Sequence, residues 1–206
     1  TGALRIGVSA RLARTALAQL GGKSADEVED VWHADAPPYS ALFDWLEGKA
    51  EAPSVATAVR FYPPMLSHPI EPEELTLLNP AEFCAEWKWD GIRVQAAAGK
   101  DAIGKRVARL YSRTGEDLSG AFPDLVAGFD FDAVLDGELL IKRGGGVQDF
   151  NTLQQRLNRK TVTPKMMAEF PAFIRAYDLL ALGDDDLRAL PFAERRAKLE
   201  AFVAAH

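Results

Sequence analysis

A lysine set between two carboxylates and two tryptophans is the feature of this sequence with the clearest chemical potential. Residues 86–93 read Glu-Trp-Lys-Trp-Asp-Gly-Ile-Arg, with Lys88 near the centre. In an extended strand the lysine and both carboxylates would project to one face, and both tryptophans to the other, where they would anchor the strand in a core. The polar face would then be convergent, with the lysine amine between two carboxylates. The simpler alternative is a solvated hairpin whose turn is Asp-Gly.

Three further segments carry polar residues in informative surroundings. The tetrapeptide at 112–115, Ser-Arg-Thr-Gly, is by itself typical of a turn. Asp136 and Glu138 interrupt a strongly apolar run, and Gly137 between them predicts a bulge in a buried strand. Because burying two carboxylates without partners is costly, a ligand, a metal ion or a basic side chain should meet them. Tyr177 lies in another apolar run and, taken alone, is typical of a core tyrosine.

Helical signals dominate the first quarter of the chain. Residues 1–50 predict three short helices, the first of them capped by Ser9. Ser24 and Glu27 match a capping box, which predicts the start of the second helix. The third helix is expected to end near Gly48. Residues 51–58 are small and weakly patterned, which favours a linker.

Strand-like runs alternate with helices in residues 59–206, which predicts an α+β domain whose strands are joined partly by hairpins and partly by helices. Strands are predicted at 83–88, 91–98, 107–112, 133–141 and 173–180, and helices at 116–129, 149–158 and 191–204.

Composition excludes several classes of protein. The chain has 206 residues, of which 48% are hydrophobic and 26% charged, as in globular proteins rather than disordered ones. No apolar run approaches the roughly 20 residues of a membrane span. The single cysteine, Cys84, excludes an intramolecular disulfide and is expected to pack in the interior. We expect a cytoplasmic monomer without membrane association.

The net charge of −6 weighs against nucleic-acid binding over the whole surface. Residues 88–113 depart from that average, with seven basic residues against two acidic ones. A local basic surface is therefore expected in this segment.

The four polar segments resemble, in order and spacing, the motifs of the covalent nucleotidyltransferase superfamily, which comprises ATP-dependent DNA ligases, RNA ligases and messenger-RNA capping enzymes. Glu-x-Lys-x-Asp-Gly-x-Arg at 86–93 is similar to its nucleotidyl-lysine motif. The resemblance implies that Lys88 attacks the α-phosphate of ATP, expels pyrophosphate and carries AMP. It also implies that Glu86 and Trp87 border the adenine, that Tyr177 stacks on the base, and that Arg93 contacts the nucleotide near the ribose.

The same resemblance implies contacts with metal and with DNA. Glu138 is expected to contact the ribose and to position Mg²⁺, or Mn²⁺ in its place. Asp90 is an alternative metal ligand, although it could equally orient the lysine or serve the turn alone. Arg113 is expected to contact the 5′-phosphate of nicked double-stranded DNA, and Arg93 to share in contacts at the nick.

The beginning of the chain distinguishes among the branches of the superfamily. Residues 4–9 and the three helices resemble the end of the helical DNA-binding domain of ATP-dependent DNA ligases, and residues 60–67 resemble the lead-in to their adenylation domain. The resemblance thus divides the chain into helical segment 1–50, linker 51–58 and the first part of an adenylation domain, 59–206. The implied fold is α+β, a helical segment before a partial nucleotidyltransferase domain, ATP-grasp-like, with antiparallel sheets and flanking helices.

Two later motifs of the superfamily, a Glu-Gly strand and a Lys-x-Lys strand, do not follow in this sequence, nor does an oligonucleotide-binding barrel. The chain is accordingly interpreted as a fragment, weakly active or inactive alone, of a nick-sealing DNA ligase used in replication, repair or recombination. Two alternatives stay open, namely an RNA ligase of the same superfamily and a nucleic-acid-binding module that has lost catalysis.

Overall fold

The computed structural model describes most of the chain. The described residues are 8–32, 39–53, 59–100, 104–157, 159 and 162–206. Residues 54–58, which are most of the expected linker, lie outside these ranges. Residues 1–7 also lie outside them, and they include part of the segment 4–9 that resembles the ligase DNA-binding domain. Within the described ranges, no helix combines the length and the apolar character that a membrane crossing requires.

Three helices begin the described chain, and their ends are set by local hydrogen bonds. They are α1 (Ala10–Gly21), α2 (Ala25–Trp32) and α3 (Ser40–Leu46). Ser9 caps α1, because its hydroxyl accepts from the backbone N–H of Leu12 at 3.2 Å. Ser24 and Glu27 form the expected capping box, in which the backbone N–H of each donates to the side chain of the other, at 2.8 and 3.2 Å. The first two helix starts are therefore confirmed.

The three helices enclose a small core of their own. Val28, Leu42 and Leu46 are buried in it, and Trp45 closes one side. None of these residues belongs to the two apolar clusters of the sheet described next.

A six-stranded antiparallel sheet forms the larger part of the described structure. Its strands are β1 (Ile92–Lys100), β2 (Arg106–Ser112), β3 (Ala133–Arg143), β4 (Gly146–Val147), β5 (Ala172–Leu182) and β6 (Asp185–Asp186). The order is β2-β1-β3-β5-β6, and β4 pairs with the end of β3. The expected combination of helices with an antiparallel sheet is confirmed.

Each face of the sheet is covered by a different part of the chain. The helices α4 (Pro123–Ala127), α5 (Phe150–Leu157), α6 (Pro164–Glu169) and α7 (Phe192–Ala205) complete the described fold. Leu153 of α5 and Leu199 of α7 are buried with Leu139 and Leu179 in the core of one face.

Residues 59–62 cover the opposite face. Val59 and Tyr62 are buried there against β1, β3 and β5. The buried Gln95 in β1 binds the backbone of Tyr62 twice, since its amide donates to the carbonyl at 2.6 Å and accepts from the N–H at 2.9 Å. This reciprocal pair fixes the path of the chain just before it reaches the polar end of the sheet.

Two sequence predictions of secondary structure are wrong. Residues 83–88 form an exposed irregular segment rather than a strand, with Trp87 at 85% exposure and Phe83 at 51%. Neither Trp87 nor Cys84 packs in the interior as expected. The helix expected at 116–129 is divided into a 3₁₀ turn, Ser119–Ala121, and the short α4.

Candidate functional site

A cavity of about 600 Å³ lies where the segment before β1 passes the middle strands of the sheet. The structure brings together at this cavity the six residues whose types and spacing suggested nucleotide chemistry, namely Glu86, Trp87, Lys88, Arg93, Glu138 and Tyr177. Met65 and Leu66 border it from the segment that covers the opposite face. Lys88 is exposed, so its amine is open to an incoming ligand.

Arg93 and Asp136 form an ion pair at the edge of the cavity. The guanidinium grips the carboxylate at two points, Nε to Oδ1 at 3.1 Å and Nη2 to Oδ2 at 2.7 Å. The same Nη2 donates to the carbonyl of Met65 at 2.7 Å. Asp136 has no exposed surface, and a basic side chain is thus the partner that its burial required. Bound in this way, Arg93 also ties the lead-in segment to the sheet.

Glu138 lies two residues after Asp136 on β3, and it is paired with Arg93 in the register of β1 and β3. Its Oε1 accepts from the backbone N–H of Gly91 at 3.2 Å. Burial raises the pKa of Glu138, while the Gly91 N–H and the charge of Lys88 act to lower it. The carboxylate is partly buried and borders the cavity without an arginine partner among the described residues.

Gly91 has a different role from the one that the Asp-Gly pattern predicts. A Cβ at this position would lie 2.4 Å from the carbonyl oxygen of Leu139 and 3.0 Å from Cγ of Glu138. The glycine is required because the backbone passes directly over β3, and no hairpin joins this segment to β1.

Tyr177 is placed by a bulge in β5. Asp136 pairs with Asp178 and Gly137 with Ala176, so Tyr177 between them has no partner on β3. The bulge expected from Gly137 is therefore present, with the extra residue on the neighbouring strand. Burial raises the pKa of Tyr177, and the nearby carboxylate of Asp136 raises it further. The phenol consequently stays protonated at neutral pH, and its ring lies at the cavity wall.

Arg195, at the beginning of α7, is a cavity residue that sequence reasoning missed. Its guanidinium binds the carboxylate of Asp178 through two hydrogen bonds, each 2.8 Å long, and both side chains are buried. The available signal was the aspartate in the apolar run of β5, since a buried carboxylate requires a partner. Its partner lies 17 residues further along the chain, where no local pattern identifies it.

Glu86 borders both the main cavity and a second one of about 320 Å³. Its carboxylate forms an ion pair with Arg196 at 2.8 Å. The second cavity also contacts Cys84 and Trp89, and the guanidinium of Arg175 lies 4.7 Å from the centre of a Trp89 ring. Glu86 therefore has a fixed basic partner as well as access to the main cavity.

Arg113 and Asp90 lie outside the main cavity, and both are exposed. The turn expected at 112–115 is present, since the hydroxyl of Ser112 accepts from the N–H of Thr114 at 3.2 Å and Gly115 has φ of 84°. Ser112 pairs with Val94, the residue after Arg93, so Arg113 follows at the same end of the sheet as the cavity.

The carboxylates at the cavity can hold a metal ion only if a bound ligand supplies further oxygen atoms to that ion. Among the described residues, no three His, Cys, Asp or Glu side chains are grouped closely enough to hold a metal. Asp178 and Glu86 border the cavity but are bound by arginines, which leaves Glu138. Mg²⁺ is commonly held by one or two carboxylates together with substrate phosphates, and Glu138 suits that arrangement.

Comparison with known proteins identifies relatives of the chain. A family model described as the ATP-dependent DNA ligase domain matches residues 64–206. A probable DNA ligase of Koribacter versatilis is 32% identical over 97% of this chain and 34% of its own length. DNA ligase C of Mycobacterium tuberculosis is 39% identical over 58% of this chain and 33% of its own length. The chain spans about a third of the length of these curated relatives.

Among solved structures, the ligase domain of LigD from M. tuberculosis is similar to the chain. It covers 58% of this chain and 36% of its own, with 31% identity and a TM-score of 0.44.

Proposed function

This chain belongs to the ATP-dependent DNA ligase family, and from that premise we propose that it takes part in sealing nicks in double-stranded DNA at the expense of ATP, with Lys88 as the residue that carries AMP. The observation that carries the proposal is the position of Lys88 at one cavity with Glu138, Arg93 and Tyr177. These groups supply a nucleophile, a carboxylate, a fixed positive charge and an aromatic face within the space that a nucleotide requires.

The proposed first step is nucleophilic displacement at phosphorus. Nζ of Lys88 forms a bond to the α-phosphorus of ATP, the bond from that phosphorus to the bridging oxygen breaks, and pyrophosphate leaves. The ammonium gives one proton to water before the attack and a second as the bond to phosphorus forms, so the phosphoramidate nitrogen keeps one hydrogen. An oxygen of the 5′-phosphate at a nick then bonds to the adenylyl phosphorus, the bond from that phosphorus to Nζ breaks, and the lysine amine takes up a proton. Finally the 3′-hydroxyl oxygen bonds to the 5′-phosphorus and loses its proton to water, the bond from that phosphorus to the AMP oxygen breaks, and AMP leaves.

The side chains around Lys88 are each assigned to a different part of the nucleotide. The ring of Tyr177 offers a stacking surface for adenine, an interaction worth about 1–3 kcal/mol per base. Glu86 and Trp87 border the same region of the cavity and are assigned to the adenine side. Arg93 uses Nε and Nη2 for Asp136 and Met65, so we assign its Nη1 to the ribose or the nick.

The charges of the phosphates require neutralisation for this transfer. We assign Mg²⁺, or Mn²⁺ in its place, to Glu138 and to oxygens of the triphosphate, where the ion would reduce the charge on the reacting phosphate. Asp90 lies outside the cavity and is the weaker candidate ligand. Arg113 is assigned to the 5′-phosphate of the nicked DNA, because a guanidinium matches two phosphate oxygens and this one is exposed at the end of the sheet.

DNA rather than RNA is the proposed substrate because the curated relatives are named DNA ligases. The match to the Koribacter ligase extends over 97% of the chain, which supports including the helical segment in the ligase. We propose that residues 1–50 are the end of a DNA-binding domain, that 51–58 are a linker, and that 59–206 are the first part of the adenylation domain.

Intact mass spectrometry tests the lysine directly. The chain is incubated with ATP and Mg²⁺ beside the variants Lys88→Ala and Lys198→Ala, the second of which removes an exposed lysine of α7. We expect a mass increase of one AMP in the unchanged chain and in Lys198→Ala, its absence in Lys88→Ala, and its removal by added pyrophosphate. An adduct that persists without Lys88 contradicts the assignment, and so does the absence of an adduct both in this chain and in a longer chain that carries the later motifs.

A further inference from the structure

Positive charge is concentrated in a part of the chain that the proposed catalytic residues do not use. Residues 141–165 hold six basic residues and one acidic residue, a net charge of +5 in a chain whose total is −6. The rest of the chain therefore sums to −11. Such separation of charge along one sequence is typical of a surface that meets a polyanion.

Four of these residues form what we call the basic surface, namely Lys142, Arg143, Arg159 and Lys165. All four are exposed, and the described part of the chain places no carboxylate in an ion pair with any of them. Arg156, in the same segment, is different, because it has no exposed surface and binds Asp124.

In the segment 88–113, where the sequence suggested a basic surface, three of the seven basic residues are paired with carboxylates. Arg93 is paired with Asp136. Arg106 is paired with two aspartates at 3.2 and 3.3 Å, and Arg109 with one at 3.5 Å. Lys88, Lys100 and Arg113 stay exposed in that segment, so the described chain carries exposed positive charge there as well as in residues 141–165.

Phe170 contacts two of the elements that carry the basic surface. The guanidinium of Arg143 lies 5.9 Å from the centre of its ring. The carbonyl of Phe170 accepts from Nη1 of Arg156 at 3.0 Å, which brings the end of α5 to this residue. Arg159 follows two residues after that helix end. Lys165 lies in α6, the helix that ends immediately before Phe170. The hairpin that carries Arg143, the end of α5 and the end of α6 therefore meet at Phe170.

A short hairpin between β3 and β4 presents Lys142 and Arg143. Gly144 and Gly145 have φ of 60° and 83°, as in a two-residue turn, and the side-chain amide of Gln148 donates to the carbonyl of Arg143 at 3.1 Å. The two basic residues are consequently held on an ordered hairpin.

The hairpin continues the strand that carries the carboxylates of the candidate site. Lys142 follows Glu138 by four residues, which corresponds to roughly 13 Å along β3. Gly91 lies against Leu139 and Leu140, so the lysine-bearing segment approaches β3 between Glu138 and the hairpin. The cavity residues and the basic hairpin therefore lie at successive positions of one strand.

We propose that the basic surface binds the phosphate backbone of double-stranded DNA beside the nick, at a distance from Lys88 that allows both to engage one duplex. The identification of DNA as the polyanion rests on the proposed function. An acidic protein partner fits less well, because interface centres are depleted of lysine and built on aromatic anchors. Here the aromatic ring, Phe170, is covered by Arg143.

Fluorescence anisotropy with a labelled nicked duplex tests the proposal, measured at several salt concentrations. Two double variants remove the charges, Lys142→Gln with Arg143→Gln and Arg159→Gln with Lys165→Gln. The matched control, Lys100→Gln with Lys198→Gln, removes two exposed lysines elsewhere. We expect each test variant to bind the duplex about 5- to 30-fold more weakly at low salt. The slope of log affinity against log salt should fall by about 0.9 for each phosphate that the variant no longer neutralises.

Four results would overturn the proposal. The first three are an unchanged affinity and slope in both test variants, an equal reduction in the control variant, and equally tight binding of polyglutamate of matched charge. The fourth is the absence of duplex binding by the unchanged chain at low salt. AMP attachment to Lys88 is measured in every variant and should be unaffected. Attachment of AMP to a residue other than Lys88 would contradict the proposed function, whereas normal attachment with unaltered DNA affinity would contradict only the basic surface.

Discussion

Two aspartates lie side by side beneath the candidate site, and each is neutralised by its own arginine. Asp136 and Asp178 are partners in the register of β3 and β5, where two ionised carboxylates would repel each other. Arg93 binds one from β1 and Arg195 binds the other from α7, both at two points. Four residues from four elements therefore fix the strands on either side of Tyr177.

Glu138 is the carboxylate of this group whose charge is least compensated, and this has a measurable effect on stability. Because burial raises its pKa above 4.5, the folded chain binds the proton more tightly than the unfolded chain does. Its stabilising contribution is therefore complete below pH 4.5 and is lost as the pH rises through the folded-state pKa. At neutral pH the ionised side chain opposes folding.

We accordingly expect Glu138→Gln to raise the free energy of unfolding at pH 7 by a few tenths to about 1 kcal/mol. The amide oxygen can still accept from the N–H of Gly91. The advantage over the unchanged chain should disappear below pH 4.5, and urea unfolding at a series of pH values measures it. A variant that is less stable than the unchanged chain at pH 7 would contradict this explanation.

At the scale of the element, the sequence predicted the helix caps and strands that depend on residues near each other in the chain. The caps at Ser9 and Ser24 involve residues three positions apart, and the sequence contains everything that they need. Most strands of the sheet were also predicted, because their apolar runs are long. Residues 83–88 also have a strand-like pattern of apolar and polar residues, but no strand of the described structure pairs with them. Strand formation depends on a partner that alternation alone does not reveal.

The candidate site shows the same division between local and distant information. Eight residues were selected from motif-like spacing. Six of them meet at one cavity, whereas Asp90 and Arg113 lie outside it. Arg195 and the carbonyl of Met65 were missed, since their contacts with Asp178 and Arg93 span 17 and 28 positions of the chain. Such contacts arise from the packing of α7 and of the lead-in segment, which no single-sequence pattern specifies.

The close passage of the lysine-bearing segment over β3 predicts the effect of a methyl group there. We expect Gly91→Ala to lower the free energy of unfolding by about 2–3 kcal/mol, because the new Cβ would overlap the carbonyl of Leu139 unless the backbone moves. Gly120→Ala is the matched control, since nothing lies within 4 Å of the added Cβ.

Chemical denaturation followed by tryptophan fluorescence measures both variants. AMP attachment should also slow in Gly91→Ala, because Lys88 lies three residues away. Equal stability of the two alanine variants would show that the close approach does not constrain the segment.

At the scale of the whole molecule, the described chain contains two separate apolar interiors. The helical core around Leu42 and the sheet cores around Leu139 and Leu180 share no residue. Cooperative unfolding depends on shared buried contacts, and regions without them open with different free energies. The helices and the sheet should therefore differ in their response to a core substitution.

Leu42→Ala is expected to destabilise the helical core by about 2–5 kcal/mol, since the residue is buried and leaves a cavity. Native-state hydrogen exchange should show faster exchange in α1, α2 and α3 and unchanged exchange in β3. Leu139→Ala is the reciprocal control and should accelerate exchange in the sheet. Equal acceleration of both regions by Leu42→Ala would show that they unfold as one unit.

The amide pair between Gln95 and Tyr62 has a mechanical consequence for the site. Gln95 and Arg93 are two residues apart in β1, and both bind the same lead-in segment, at Tyr62 and at Met65. Val59 is buried and Arg60 forms an ion pair with Asp186, so the chain is anchored at three successive points before it reaches Met65. A pull on the preceding chain would have to break these contacts before it could displace the carbonyl that Arg93 binds beside Asp136.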